Sequence, residues 1–356
     1  MGRNLDMTMQ DTHTHNQRGF SLIELLVTMA VIAIVIAIIV PTLGGARNTA
    51  KAAATQAQLT EIGSAAQQYY TDTTRQPGYF TARQMGDMDN ETRGFTGMQN
   101  VMLDLAGGFA TTGSVAGNVV SVGPISGEEV DIDLTLIGTQ EAGGGYYTPD
   151  DKRFLAQEGT GDGVLAGIAE HTRLPSVVDT FGTPILAWQQ DNAIQPIATV
   201  ADFVQDTYTG DVTSRYYLAS NAGLLGTGQL GKRGKSAALS TAAPTAEHST
   251  LGRGVMDDKR WEHLMILLGS PTVPNEIDPT LPSATRGKLV FHSGGIDAIY
   301  MGTKDKGGRA SELEFWQSFY TDEAGGQPNR LVDRDGKVES IDLLDQFDDM
   351  IESVGN

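Results

Sequence analysis

Residues 18–41 read RGFSLIELLVTMAVIAIVIAIIVP, and this stretch decides how the rest of the chain is read. A polar segment ends at Arg18-Gly19, and an apolar run follows from Phe20 to Val40 with one charge in it, Glu24. At 1.5 Å per residue the run spans roughly 31 Å as a helix, enough to cross a bilayer core. A carboxylate inside such a segment costs on the order of 2.5–3.5 kcal/mol at a helix centre, and less near the membrane edge. A plain anchor has no reason to carry it. The cost makes sense if Glu24 meets a positive charge inside an assembly.

Gly19, Phe20, Glu24 and Pro41 together resemble the type IV pilin family and its type II secretion pseudopilins. The resemblance implies that a prepilin peptidase cuts between Gly19 and Phe20 and methylates the new N-terminus. Residues 1–19 are then a leader outside the fold, and the apolar helix 20–40 stays with the mature protein. It also implies that Glu24 attracts the N-terminus of a neighbouring subunit during assembly at an inner-membrane platform. The implied location is the inner membrane, crossed once, with the globular part periplasmic.

Composition narrows the function classes. The chain has 356 residues and no cysteine, which excludes disulfides, thiolate metal sites and a cysteine nucleophile. A net charge of -19 argues against nucleic acid as a partner and suits cation binding. The histidines show no zinc-type spacing, and no G-x-S-x-G elbow is present. The stretch GTGQLGKRGKS (226–236) approaches a phosphate-binding loop in two frames and completes neither. The chain reads as structural and not as an enzyme.

Pro41 and the glycines of PTLGG (41–45) are expected to interrupt the helix. From Ala46 the helical pattern returns, and Leu59, Ile62, Ala66 and Tyr69 form one apolar stripe to pack on a sheet. Residues 41–75 are thus an amphipathic continuation, ended by Gln76-Pro77-Gly78. Residues 76–176 read as an inserted α/β region, with a helix near Asn100–Leu105 and strands at Asn118–Val122 and Val130–Ile137. Residues 177–356 read as a pilin-like β-sheet region with acidic loops. It has strands at Ile185–Trp188, 214–220 and Lys288–His292, and helices at Asp257–Leu268, Ser311–Tyr320 and about Ile341–Ser353. The fold class expected is α+β: a long N-terminal helix, membrane-spanning in its first half, packed on a C-terminal antiparallel sheet domain with loop and helix insertions.

Two further segments carry the resemblance. In VVDTFGTPILAWQQD (177–191), Asp179, Phe181, Gly182, Pro184 and Trp188 resemble the D-x-W-G-x-P-x-x-Y signature of pilin-like proteins, with Phe181 for tryptophan and Trp188 for tyrosine. In 291–308, Ser293, Gly294, Gly295, Asp297 and Gly302 resemble a C-terminal S-x-G-x-D-G-x-x-G segment, with Ala298 where a glycine is common. By the same resemblance, a loop in this region binds calcium, for which Asp297, Asp305 and Ser293 supply oxygens. A second calcium candidate is DRDGKVESIDLL (333–344). Asp333, Asp335 and Asp342 fall at EF-hand ligand positions, but Leu331 stands at the first, where an oxygen is needed.

The function expected is a structural subunit of a pilus-like or pseudopilus filament, with other pilin-like subunits as partners. The alternative is a surface adhesin carried on a pilin-like stalk, which the large 79–176 insertion favours.

Overall fold

The computed structural model describes residues 21–139, 145–150, 152–156, 173–192, 196–210, 213–225, 249–251, 259–270, 281–305, 331–332, 338–339 and 342–355. Helix α1 (Leu22–Thr73) spans 52 residues and crosses the division of the chain into two units, 1–50 and 51–356.

In the first unit the apolar side chains from Leu22 to Val40 are exposed all round the helix. A helix apolar on every face has no place in water and belongs in lipid or among other helices. Among the described residues α1 is the one helix long and apolar enough to cross a membrane. The expected interruption at 41–45 is absent, because the helix runs unbroken through Pro41. Proline deletes one bond of the ladder, and the turns on either side keep theirs.

The second unit is built on a three-stranded antiparallel sheet. Strands β3 (Leu186–Gln189) and β5 (Met350–Val354) flank β4 (Leu289–Ser293), while β1 (Val119–Ile125) and β2 (Glu128–Asp133) pair as a separate hairpin. Successive side chains point to opposite faces. Ala187, Leu289, Phe291 and Val354 accordingly pack with the stripe Leu59, Ile62, Ala66 and Tyr69 of α1. Leu186, Trp188 and Val290 face the other way and pack with Leu264, Met265 and Leu268 of the helix Lys259–Leu268. The sheet is therefore buried between two helices. Gly63 sits where a Cβ would come within 2.8 Å of the Glu352 side chain, so α1 lies close over β5.

The inserted region folds as helix α2 (Ala82–Met85), helix α3 (Gly97–Leu105) and a hairpin of β1 (Val119–Ile125) and β2 (Glu128–Asp133). Thr96 and Gln99 close a capping box that starts α3. Val120, Val122 and Ile132 bury the inner face of the hairpin against Phe80, Phe95 and Leu103. The second strand is shorter than the expected Val130–Ile137. The Asp133 carboxylate accepts bonds from the Thr135 amide and hydroxyl and turns the chain there.

Two further expectations are corrected. The expected strand 214–220 is strand only at Tyr216–Tyr217 and continues as a 3₁₀ turn, Leu218–Asn221. The helix expected over Asp257–Leu268 is present as Lys259–Leu268, with 257–258 outside the described residues, and buries His263 through Leu268. The C-terminal helix expected over 341–353 is instead a 3₁₀ turn, Leu343–Gln346, followed by β5. Five residue pairs tie Met350–Val354 to Leu289–Ser293, satisfying an edge of β4 that a helix would leave open. The expected helix 311–320 lies outside the described residues.

Candidate functional site

Three places carry chemistry: the start of α1, the turn at 179–183, and an acidic loop cluster near the end of β4.

At the start of α1, the Ser21 amide donates to the Glu24 carboxylate (3.0 Å) and the Glu24 amide donates to Ser21 Oγ (3.2 Å). This is a capping box, and it satisfies two of the amides that a helix start leaves open. The spacing S-x-x-E is visible in the sequence and explains how one charge is tolerated at the head of an apolar helix. Glu24 remains exposed. Gly19 and Phe20 lie outside the described residues, and Pro41 lies within α1.

The turn at 179–183 is organised by Asp179, which is buried (3 % exposed). Its Oδ1 accepts from the amides of Phe181 (2.8 Å) and Thr183 (2.9 Å), and its Oδ2 accepts from the Ser293 hydroxyl (2.6 Å). Burial pushes its carboxyl above the usual range, and the bond from Ser293 pulls it back. Gly182 takes a φ of 87°, which the turn requires of a glycine. The same turn grips α1. Thr180 Oγ1 donates to the Lys51 carbonyl (2.8 Å), Gln58 Nε2 donates to the Val178 carbonyl (3.0 Å), and the Lys51 ammonium lies 5.2 Å from the Phe181 ring centre. The signature is thus a clamp joining α1, β3 and β4.

The acidic cluster unites Asp297, Asp305 and Asp348, each offering one oxygen within 4.8 Å of the others. Asp348 Oδ2 accepts from the amides of Ile296 (2.8 Å) and Asp297 (3.0 Å), so the loop is wrapped around it. Asp297 Oδ1 accepts from the Ile299 amide (2.8 Å), while its Oδ2 is buried with no hydrogen-bond partner among the described residues. Gly302 lines the same space, where an added Cβ would lie 3.0 Å from both Asp297 Oδ2 and Asp305 Oδ2. Ala298 adopts φ 64° without a glycine's freedom, at a cost on the order of 1 kcal/mol. Burial, and then the charge of Asp348, push the Asp297 carboxyl up to about 7.

The other sequence candidates lie elsewhere. Ser293 spends its hydroxyl hydrogen on Asp179. Asp342 pairs with Arg286 through both oxygens (2.5 and 2.6 Å) and caps the 3₁₀ turn through the Leu344 amide. Asp333 and Asp335 lie outside the described residues, between the paired segments Leu331–Val332 and Val338–Glu339. Asp348 escaped the sequence reading because it lies 51 residues beyond Asp297, too far for any spacing motif.

The oxygen-only donor set suits a hard cation. Calcium takes carboxylate, carbonyl and water oxygens at about 2.3–2.6 Å, so oxygens within 4.8 Å of one another can share one ion. An orphaned carboxylate oxygen and a space that a Cβ would fill fit the same reading.

The chain is an α+β protein in which a long N-terminal helix with an apolar, exposed first half is followed by an antiparallel sheet domain. The prokaryotic N-terminal methylation motif matches residues 14–40, so the chain carries the signal motif of type IV pilins and pseudopilins. No curated protein and no solved structure matches the chain.

Proposed function

We propose that this chain is a structural, non-catalytic subunit of a type IV pilus-like or type II secretion pseudopilus filament. A prepilin peptidase cleaves it between Gly19 and Phe20, and an inner-membrane platform assembles it through α1. The observation that carries this reading is the exposed apolar segment Leu22–Val40, headed by a single carboxylate and overlapped by the methylation motif. Before assembly lipid covers that segment, and the globular unit lies on the periplasmic side. In the filament, neighbouring helices replace acyl chains, and Ala30, Ala33 and Ala37 allow close approach. The new α-amino group of one subunit meets Glu24 of another.

The test is intact mass and N-terminal sequencing of the membrane-extracted protein, with and without the peptidase. The expected product begins at Phe20 and carries one extra methyl. An unprocessed chain in the presence of active peptidase would remove the assembly reading.

Asp297, Asp305 and Asp348 hold calcium in this proposal. When bound, the ion supplies positive charge that offsets three crowded carboxylates and ties the loop after β4 to the loop before β5. The pH dependence follows from Asp297. Its folded pKa of about 7 lies above the ordinary aspartate value of 3.8, so between these limits the folded state binds more protons than the unfolded one. In metal-free buffer this group's contribution therefore falls as pH rises from about 4 to 7 and is flat above. Calcium competes with that proton, so its stabilisation is larger at high pH. At a hundredfold excess over Kd it contributes about 2.7 kcal/mol. Thermal unfolding with calcium or with chelator, at both ends of this pH range, checks it. Asp297→Asn is expected to abolish the calcium response, and an unchanged response would rule this site out.

A further inference from the structure

A cleft of about 610 Å³ opens between the C-terminal end of α1, helix α2 and the end of β3. It lies wholly in the globular unit and apart from the acidic cluster, so its occupancy is testable whether or not the subunit assembles. Arg75, Arg83 and Lys288 line it; Asp104 and Asp191 each pair with one of the arginines, and Lys288 is the cation left over. The cleft therefore keeps a local positive excess in a chain whose net charge is -19. Such local contrast concentrates anions.

The cations are held in place. Arg75 pairs through both terminal nitrogens with buried Asp104 (2.8 and 2.9 Å). Arg83 donates its Nε to buried Asp191 (2.7 Å), and its guanidinium lies 5.6 Å from the Tyr208 ring centre. Both Nη groups of Arg83 lack a protein partner among the described residues, and the side chain is 44 % exposed. An anchored fork of this kind is shaped for a carboxylate or phosphate. Lys288 is exposed beside it on the Tyr70 ring, at 5.9 Å.

Charge is only part of the lining. Gln76 lines the cleft, but its amide is shut off from solvent and packs toward Gly355. Gln189 and Gln190 accept at their side-chain oxygens from Asn100 and Thr285, and the exposed Asn192 adds an amide that can donate and accept. Tyr79 is 47 % exposed, and its ring is braced edge-on by Phe80 at 5.0 Å. That leaves a fixed apolar platform at the cleft.

We propose that this cleft binds an acidic oligosaccharide, a chain of hexuronate units. The carboxylate sits on Arg83 and Lys288, hydroxyls meet the Asn192 amide, and a sugar ring stacks on Tyr79. A bare phosphate would use the cations and leave Tyr79 idle. A neutral sugar would use Tyr79 and leave Lys288 and the Arg83 Nη groups idle.

The experiment is calorimetric titration of the full chain in detergent with trigalacturonate, maltotriose and inorganic phosphate at low salt. Trigalacturonate is expected to bind saturably, at least about tenfold tighter than either other probe. Arg83→Gln and Tyr79→Ala are each expected to weaken it at least about tenfold. Lys288→Gln, at an exposed position that bonds no buried carboxylate, is expected to weaken it several-fold and keeps the test valid if Arg83→Gln unfolds the chain. Three results would overturn the proposal: no saturation up to about 10 mM trigalacturonate, equal affinity for maltotriose, or equal affinity for phosphate with Tyr79→Ala silent.

Discussion

Glu24→Gln is expected to enter the membrane as the parent chain does and to lower incorporation into filaments by at least about tenfold, or 1.4 kcal/mol. The substitution separates two jobs that one side chain performs. Glutamine at this position keeps the capping box with Ser21, because its amide oxygen accepts the Ser21 N–H as the carboxylate does. Helix formation and insertion are therefore preserved. The charge is lost, and with it the attraction for the α-amino group of the next subunit. At 4 Å and an effective dielectric of 20, that attraction is about 4 kcal/mol before desolvation of both groups is subtracted. A tenfold effect is a conservative remainder. Ser21→Ala gives the converse: it removes the hydroxyl that accepts the Glu24 amide and keeps the charge, so assembly should suffer less than in Glu24→Gln. Fractionation into membrane and sheared filament pools reads both. Equal incorporation of Glu24→Gln and parent would reduce Glu24 to a helix cap.

Asp179→Ala is expected to destabilise the globular unit by about 3 kcal/mol or more, because bonds to a charged acceptor contribute about 1.5–3 kcal/mol each. For a domain of this size the melting temperature would fall on the order of 10 °C. The substitution strands the amides of Phe181 and Thr183 and the hydroxyl of Ser293, all on buried or half-buried residues. It also releases the turn that holds Lys51, Thr55 and Gln58 of α1. Asp179→Asn should cost far less. Burial already raises the pKa of this carboxyl, and a neutral amide keeps an acceptor for the two N–H groups. The sign of the pH effect follows. A raised folded pKa means that this group's contribution declines as pH rises past the ordinary Asp value. Asp179→Asn should flatten that part of the profile. Urea unfolding as a function of pH measures both effects, and an Asp179→Ala chain as stable as the parent would show that the clamp contributes nothing.

Much of this architecture could be read from local pattern. The apolar run and its single carboxylate are contiguous, so their meaning needs no partner. The stripe Leu59, Ile62, Ala66 and Tyr69 follows the helical period, and all four side chains are buried in the fold. Asp179, Gly182 and Pro184 mark a turn whose bonds close within five residues.

The C-terminus shows where local pattern misleads. Leu344, Phe347, Ile351 and Val354 recur at spacings of three, four and three, a helical signature. Leu344, Phe347 and Val354 are buried and Ile351 packs against the core, but from a 3₁₀ turn and a strand. Backbone pairing with Leu289–Ser293 overrides the period, because an open edge of a buried strand leaves amides and carbonyls without partners.

The same pairing explains the acidic cluster. Asp297 and Asp305 are local to one loop and legible there, whereas Asp348 reaches them because β5 lies against β4. The cleft, likewise, gathers side chains from the end of α1, from α2 and from the ends of two strands. The sequence alone determined the long apolar helix, its signal motif, the packing stripe and the turn, since each rests on energies between near neighbours in the chain. Only the tertiary structure decided the C-terminal strand, the third carboxylate and the cationic cleft. Each of these depends on contacts between residues distant in the chain, which no short-range period encodes.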